Sequence, residues 1–275
     1  MKGRTLRLKQ VDSNEWIFEY PKSIFHLDEK LYAGIDLMSE GALKKADKIF
    51  RSIIEEHPEH IDAHHHLAML LTQQGKKEEA FQLWEKAVGI GTQCFSKDFA
   101  MGNDLLEWGW IENRPFLRAY DGLGLAYLEK KEVEKALSIF NNLLALNPND
   151  NQGVRDLIVE CNFALNRPEK VLRVCDKYPD DAMAHMSYGR PLALFQLGKK
   201  DEAEKAMKDA IKYLPLVAEE LIKTKHKKPE GMMNGYITMG GPDEAYDYWK
   251  RVGKYWGDTE GAIDFVKECL RKDHK

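Results

Sequence analysis

The 275 residues predict an all-α fold, a right-handed solenoid of helical hairpins, on three observations. Gly41 and Gly75, Ala46 and Ala80, and Phe50 and Trp84 stand 34 residues apart, which is a period. The step from Ala80 to Ala136 is 56, or 34 plus an insertion of 22, and the pattern returns after it as Tyr120, Leu123, Gly124, Tyr127, Ala136, Phe140 and Pro148. Within each period small residues fall where two antiparallel helices would cross, as in Gly34 with Ala46, Ala68 with Ala80, and Gly124 with Ala136. Phe50, Trp84 and Phe140 fall where a hairpin would meet its neighbour. A single hairpin leaves its apolar face open to water, so units of this kind stack and share a core.

In chain order, residues 1–26 carry two strand-like runs, Thr5-Leu6-Arg7-Leu8-Lys9 and Trp16-Ile17-Phe18-Glu19-Tyr20, around the turn-prone Asp12-Ser13-Asn14. They predict an amino-terminal β-hairpin cap. Its Leu6, Leu8, Trp16 and Phe18 are expected to shield the open end of the array. Repeats follow at 27–60 and 61–94, then an insertion at 95–116, then a repeat at 117–150. The fourth, 151–183, is degenerate, with Val171 and Cys175 in the small and bulky places and a second helix cut short before Pro179. The fifth, 184–217, recovers Gly198, Ala203, Ala210 and Pro215, while Pro191 falls inside its first helix and should kink it. Residues 218–275 read as a carboxy-terminal helical cap: Pro242 opens one amphipathic helix, and a second starts near Thr259 with Ile263, Phe265, Val266 and Leu270 on its apolar face.

Composition narrows the function classes. A net charge of −4 gives no footprint for nucleic acid or an anionic membrane. No window approaches the roughly 18 apolar residues that span a bilayer, and Met1-Lys2-Gly3-Arg4 leads into no apolar core of a signal peptide. The four cysteines, at 94, 161, 175 and 269, form no CxxC pair, so a reducing cytoplasm is the expected compartment. Cys161 and Cys175 read as small buried hydrophobes, and the basic run Lys223–Lys228 as a solvated connector. No phosphate-binding loop, HExxH, GxSxG or EF-hand series is present, and no cofactor is expected. The one dense cluster of candidate metal ligands is His57, His60, His64, His65 and His66. Three consecutive histidines point three ways around a helix, and His60 falls in a linker beside Pro58, so packing histidines are the preferred reading and no metal is expected.

The string Tyr120-x2-Leu123-Gly124-x2-Tyr127, with Ala136, Phe140 and Pro148, resembles the tetratricopeptide consensus. Trp108–Arg118 and Asn147–Arg155 are similar to strings in a bacterial and archaeal tetratricopeptide family related to SEC-C proteins. Pro242–Tyr246 with Glu260-Gly261-Ala262 resembles the end of the suppressor-of-tumorigenicity-seven family. The SEC-C cysteines are absent, so a zinc role does not carry over. The resemblance implies a non-catalytic scaffold that holds a peptide or protein segment on the concave face, lined by the first helix of each repeat. Carried onto this chain, the groove positions include His65, Arg118, Asp121, Gln152, Arg155 and Tyr188, with Arg114 beside them. Leu31 and Ile35 stand where a carboxylate clamp needs Lys and Asn, which disfavours chaperone tails. The three arginines suit an anion on the partner, with Arg114 alternatively tying the insertion to the array. The other readings are a metal-dependent module or enzyme built on the histidines and a structural subunit of a homo-oligomer.

Overall fold

The computed structural model describes residues 6–233 and 236–273, so Thr5 of the first expected strand lies outside the described residues. Among them are thirteen α-helices and one two-stranded sheet, and the chain divides into two compact units between Val154 and Arg155.

In the first unit, strands β1 (Arg7–Gln10) and β2 (Trp16–Glu19) pair antiparallel with Leu8 opposite Phe18. A 3-10 segment, Lys22–Leu27, leads into α1 (Asp28–Ser39) and α2 (Leu43–Glu56), then α3 (Ile61–Gln73) and α4 (Lys77–Thr92). After the insertion come α5 (Arg114–Glu129) and α6 (Val133–Leu146). Each pair α1/α2, α3/α4 and α5/α6 packs as a hairpin, and α2 meets α3 as α4 meets α5. The second unit holds α7 (Val154–Ala164, opening at the division), α8 (Pro168–Lys177), α9 (Ala184–Gln196) and α10 (Lys200–Tyr213). It continues with α11 (Pro215–Leu221), α12 (Pro242–Asp258) and α13 (Ala262–Asp273). Pro215 therefore opens a short helix as well as ending one, and α9 runs through Pro191.

One turn recurs at every hairpin. A residue with positive φ sits between the helices at Gly41, Gly75, Lys131, Asn166 and Gly198, with φ between 52 and 78°. The next backbone N–H bonds a carbonyl five residues back: Ala42 to Leu37, Lys76 to Leu71, Glu132 to Tyr127, Arg167 to Asn162 and Lys199 to Leu194. This closure satisfies carbonyls that the helix end leaves bare, and glycine adopts it without steric cost. Lysine and asparagine fill it at 131 and 166, which hides two turns from a search for glycine.

Small residues admit aromatic rings between helices. A β-carbon on Gly34 would lie 2.6 Å from Phe50, and one on Gly124 would lie 2.5 Å from Phe140. Trp84 presses on Gly122 and Phe116 on Gly91 in the same way. Phe50 and Phe140, expected to face the neighbouring hairpin, thus press on the small residue of their own, while Trp84 reaches the next one.

The β-hairpin docks elsewhere than on the open end of the array. Asn113, fully buried at the foot of α5, accepts from the Phe18 amide at 3.1 Å and donates to the carbonyls of Trp16 at 3.0 Å and Glu107 at 3.1 Å. The Trp16 amide bonds the Leu105 carbonyl, and the Leu105 amide bonds Asn14. Phe18 packs on Phe116, and Trp16 meets Phe99 edge-on. The insertion, not the first helix pair, supplies both the polar partners and the rings that cover the hairpin's apolar face. The same insertion is tied at its far end, where the Trp108 amide donates to Asn147 at 3.2 Å and the Leu106 amide to the Leu146 carbonyl at 2.8 Å.

Gly122→Ala is expected to destabilise this unit by about 1–3 kcal/mol, because the Trp84 ring must leave its seat. Thermal unfolding followed by tryptophan fluorescence checks it: a melting curve and emission maximum equal to wild type would show that the helices separate freely.

Candidate functional site

The first helices of the three hairpins in the first unit present one face to a common cavity. On α3, Asp62 and His66 are four apart and share a side; on α5, Arg114 and Arg118 do the same. From α1 come Asp28, Leu31, Tyr32 and Ile35. Two walls come from outside the hairpins, Tyr20 to Phe25 on one side and Ile111 with Glu112 on the other. Together they enclose about 430 Å3, within the range of ligand-binding clefts. Three large apolar side chains stand at this cavity exposed to solvent: Phe25 at 55%, Tyr32 at 63% and Ile111 at 69%.

Its electrostatics centre on Asp62. Arg118 Nη2 donates to both carboxylate oxygens, at 2.9 and 2.7 Å, and His66 Nε2 lies 3.6 Å away. Burial pushes the Asp62 carboxyl up, but His66 and the Arg118 guanidinium outweigh it and hold the group below its ordinary value. Asp28 is shifted up by burial and by the charge of Asp62. His60 caps α3, its Nδ1 accepting from the Ala63 amide at 3.2 Å, and burial pushes it down to about 4. Four lining residues hold a buried polar atom without a hydrogen-bond partner: Tyr20 Oη, His60 Nε2, His66 Nδ1 and Arg118 Nε. Buried polar atoms are nearly always satisfied, so four in the lining of one cavity set it apart.

The residues expected along the groove scatter. Arg114 and Arg118 line the cavity, but both are engaged. Arg114 Nε donates to the Trp108 carbonyl at 3.0 Å with its guanidinium over the Trp108 ring, which ties down the insertion. His65 and Tyr188 do not line a groove. His65 is buried, accepts from Trp84 Nε1 at 3.3 Å, and is pushed by burial to about 3. Tyr188 is fully buried and donates to the Leu214 carbonyl at 2.7 Å. Gln152 donates to the Leu117 carbonyl at 3.2 Å, outside the cavity. Asp121, pushed up to about 7 by burial and by Asp150, also lies outside it. Arg155, in the second unit, pairs with Asp181 and lies over the Tyr178 ring at 5.0 Å.

In the second unit the corresponding helix faces are covered by the chain itself. Glu244 of α12 accepts from the Ala184 amide at 2.8 Å, and Arg251 of α12 pairs with Glu160 of α7. His185 sits between Glu160 at 3.0 Å and Asp156 at 3.4 Å with Tyr248 edge-on to it, and Tyr188 also packs on Tyr248. The expected opening beside His185 and Tyr188 is therefore filled by α12.

Within the histidine run, His60 and His66 line the cavity, and His64 and His65 are turned to neighbours in the fold. His64 Nε2 meets the Pro58 carbonyl at 2.9 Å, His65 meets Trp84, and His66 stacks on Phe50. The buried Cys175 and Cys161 thiols are pushed up by burial, to about 11 and about 12. His226 of the basic run stacks on Trp249 and pairs with Glu220, as does Lys223. Tyr20, Phe25, Asp28, Tyr32 and Ile111 were not legible as site residues. The available signal was Tyr32, an aromatic off the buried phase set by Leu31 and Gly34.

Residues 42–271 match the family described as Transcriptional repressor TCF25. This family, not a SEC-C one, spans the strings at Trp108–Arg118 and Asn147–Arg155. No curated protein matches the chain. Among solved structures, a tetratricopeptide repeat protein from Parabacteroides merdae ATCC 43184 aligns with a TM-score of 0.55 at 16% identity, over 89% of this chain and 78% of that one. A crystal structure of MamA protein aligns at 0.52 and 17% identity, over 73% of this chain and 96% of the other. Both likenesses show the fold, an all-α tetratricopeptide-like helical array. No described helix is long and apolar enough to cross a membrane.

Two outcomes are expected. His60 titrates at about 4 rather than 6.5, so below pH 6.5 the unfolded chain binds a proton that the folded chain refuses, and this contribution to stability is lost as pH falls toward 4. Asp121, raised to about 7, acts the opposite way over part of that window, so the measurement is a difference. Urea midpoints of wild type and His60→Asn, which keeps a capping acceptor, should converge as the pH is lowered from 7.5 to about 5; parallel curves would exclude the buried neutral imidazole. Arg155→Ala should cost about 1–3 kcal/mol in thermal unfolding by leaving the buried Asp181 carboxylate short of its partner. A melting temperature equal to wild type would show that Arg155 is no brace.

Proposed function

We propose that this chain, which belongs to the family described as Transcriptional repressor TCF25, is a protein-interaction scaffold that holds a short segment of a partner in the cavity between α1, α3 and α5. The observation that carries this reading is the coincidence at one cavity of three exposed large apolar side chains and four buried polar atoms without partners. Apolar anchors in a concave site with a few convergent polar groups are what segment recognition requires. The walls from Tyr20–Phe25 and Ile111–Glu112 close the groove at the sides, so the ligand is a short stretch of chain. The family description fits a protein that acts by holding another protein, since a net charge of −4 disfavours direct contact with nucleic-acid phosphates.

The test is a pair of rim substitutions, Tyr32→Glu with Ile111→Glu, in the full chain. Each residue is exposed, so circular dichroism and the melting temperature should stay at wild-type values. Burying a carboxylate in an apolar contact should abolish at least one specific association, with recovery from native cells falling 30-fold or more at roughly 2 kcal/mol per anchor. Retention of every associated protein by the folded double variant would overturn the proposal.

A further inference from the structure

Resting on that reading of the cavity, we infer that the captured segment presents a basic side chain, lysine or arginine, seated by Asp28, with a bulky apolar neighbour on the rim of Phe25, Tyr32 and Ile111. The cavity's fixed charges favour a cation. Asp28, Asp62 and Glu112 face it, against Arg114 and Arg118. Arg118 is already neutralised by Asp62 through two short hydrogen bonds, and Arg114 is held on Trp108. Among the described residues no cation pairs with Asp28, although its lysine neighbour Lys30 pairs with Glu56. His60 and His66 add no positive charge near neutral pH, because burial holds both below their ordinary value. An acidic side chain would face Asp28 and Glu112 and would have to displace Asp62 from Arg118.

The unpartnered atoms fit the same guest. His60 accepts through Nδ1, so its neutral ring carries the proton on Nε2 and donates there. Arg118 Nε also donates, and both suit backbone carbonyls of a peptide. Tyr20 Oη can accept as well, and with the Asp28 carboxylate it matches the multiple donors of an ammonium or guanidinium group. Phe25 and Tyr32 supply aromatic surface for the apolar stem and the cation itself.

The experiment uses a phage-displayed library of random peptides, about 12 residues long, panned against the full chain and counter-selected on the Tyr32→Glu/Ile111→Glu variant. Enriched peptides should hold a lysine or arginine beside an aromatic or aliphatic residue. One of them, fluorescein-labelled, is then titrated by fluorescence anisotropy. Replacing its lysine by norleucine, or its arginine by citrulline, should weaken binding 10-fold or more. Asp28→Asn should weaken the original peptide by a similar factor, yet bind the neutral peptide as wild type does; Glu112→Gln serves as a second acidic variant if Asp28→Asn melts early. Enriched peptides that lack a basic residue, or a neutral peptide that binds equally well, would overturn the inference and leave segment capture standing. Failure to enrich any peptide that distinguishes wild type from the rim variant would overturn both.

Discussion

The first unit depends on aromatic rings pressed against helices that lack a β-carbon. Phe50 on Gly34 and Phe140 on Gly124 set the separation within hairpins. Trp84 on Gly122 and Phe116 on Gly91 set it between neighbouring elements. Interiors are packed too tightly to absorb an extra methyl group at such a point. These contacts fix how α1 sits on α2 and how α5 sits between α4 and α6, and α5 carries Arg118 to Asp62 at the cavity. The lock has a polar extension: the Trp84 indole donates to His65, whose imidazole burial keeps neutral.

The walls of the cavity depend on a second device, the buried Asn113. Its amide makes three hydrogen bonds at once, to Phe18, Trp16 and Glu107, and so binds the β-hairpin to the insertion. An asparagine side chain suits this place because it donates and accepts within one planar group, matching a strand's exposed N–H and C=O. With Phe18 held on Phe116, the chain that follows β2 is delivered to the cavity as Tyr20 and Phe25. The insertion delivers Ile111 and Glu112 from the other side. A helical array alone would have offered an open channel; these two additions leave a short pocket.

The second unit treats the same kind of surface differently. Glu160, Asp156, His185 and Arg251 form a mostly buried charged group beneath α12, with Tyr248 packed against both His185 and Tyr188. Buried charges persist where each has a partner of opposite sign, and Arg251 supplies the cation beside Glu160. Helix α12 is thereby a cover with specific polar contacts as well as apolar ones.

By itself the amino-acid sequence determined the helical-hairpin fold, because a 34-residue recurrence of small and bulky residues has one economical packing. It also determined the strand pair around Asp12–Asn14 and the helix that begins at Pro242, since turn formers and amphipathic spacing are local signals. Tertiary structure alone decided which face stays open. His65 and Arg118 have equivalent claims to a groove in the repeat phase, yet one enters the core to meet Trp84 and the other meets Asp62 at the cavity. Tyr188 is buried against Tyr248 of α12 and Arg155 is engaged by Asp181, partners 60 and 26 positions away. Tyr20 and Ile111 gained a role because the hairpin and the insertion fold onto α5. Such outcomes turn on contacts between residues far apart in the chain, and no local period encodes them.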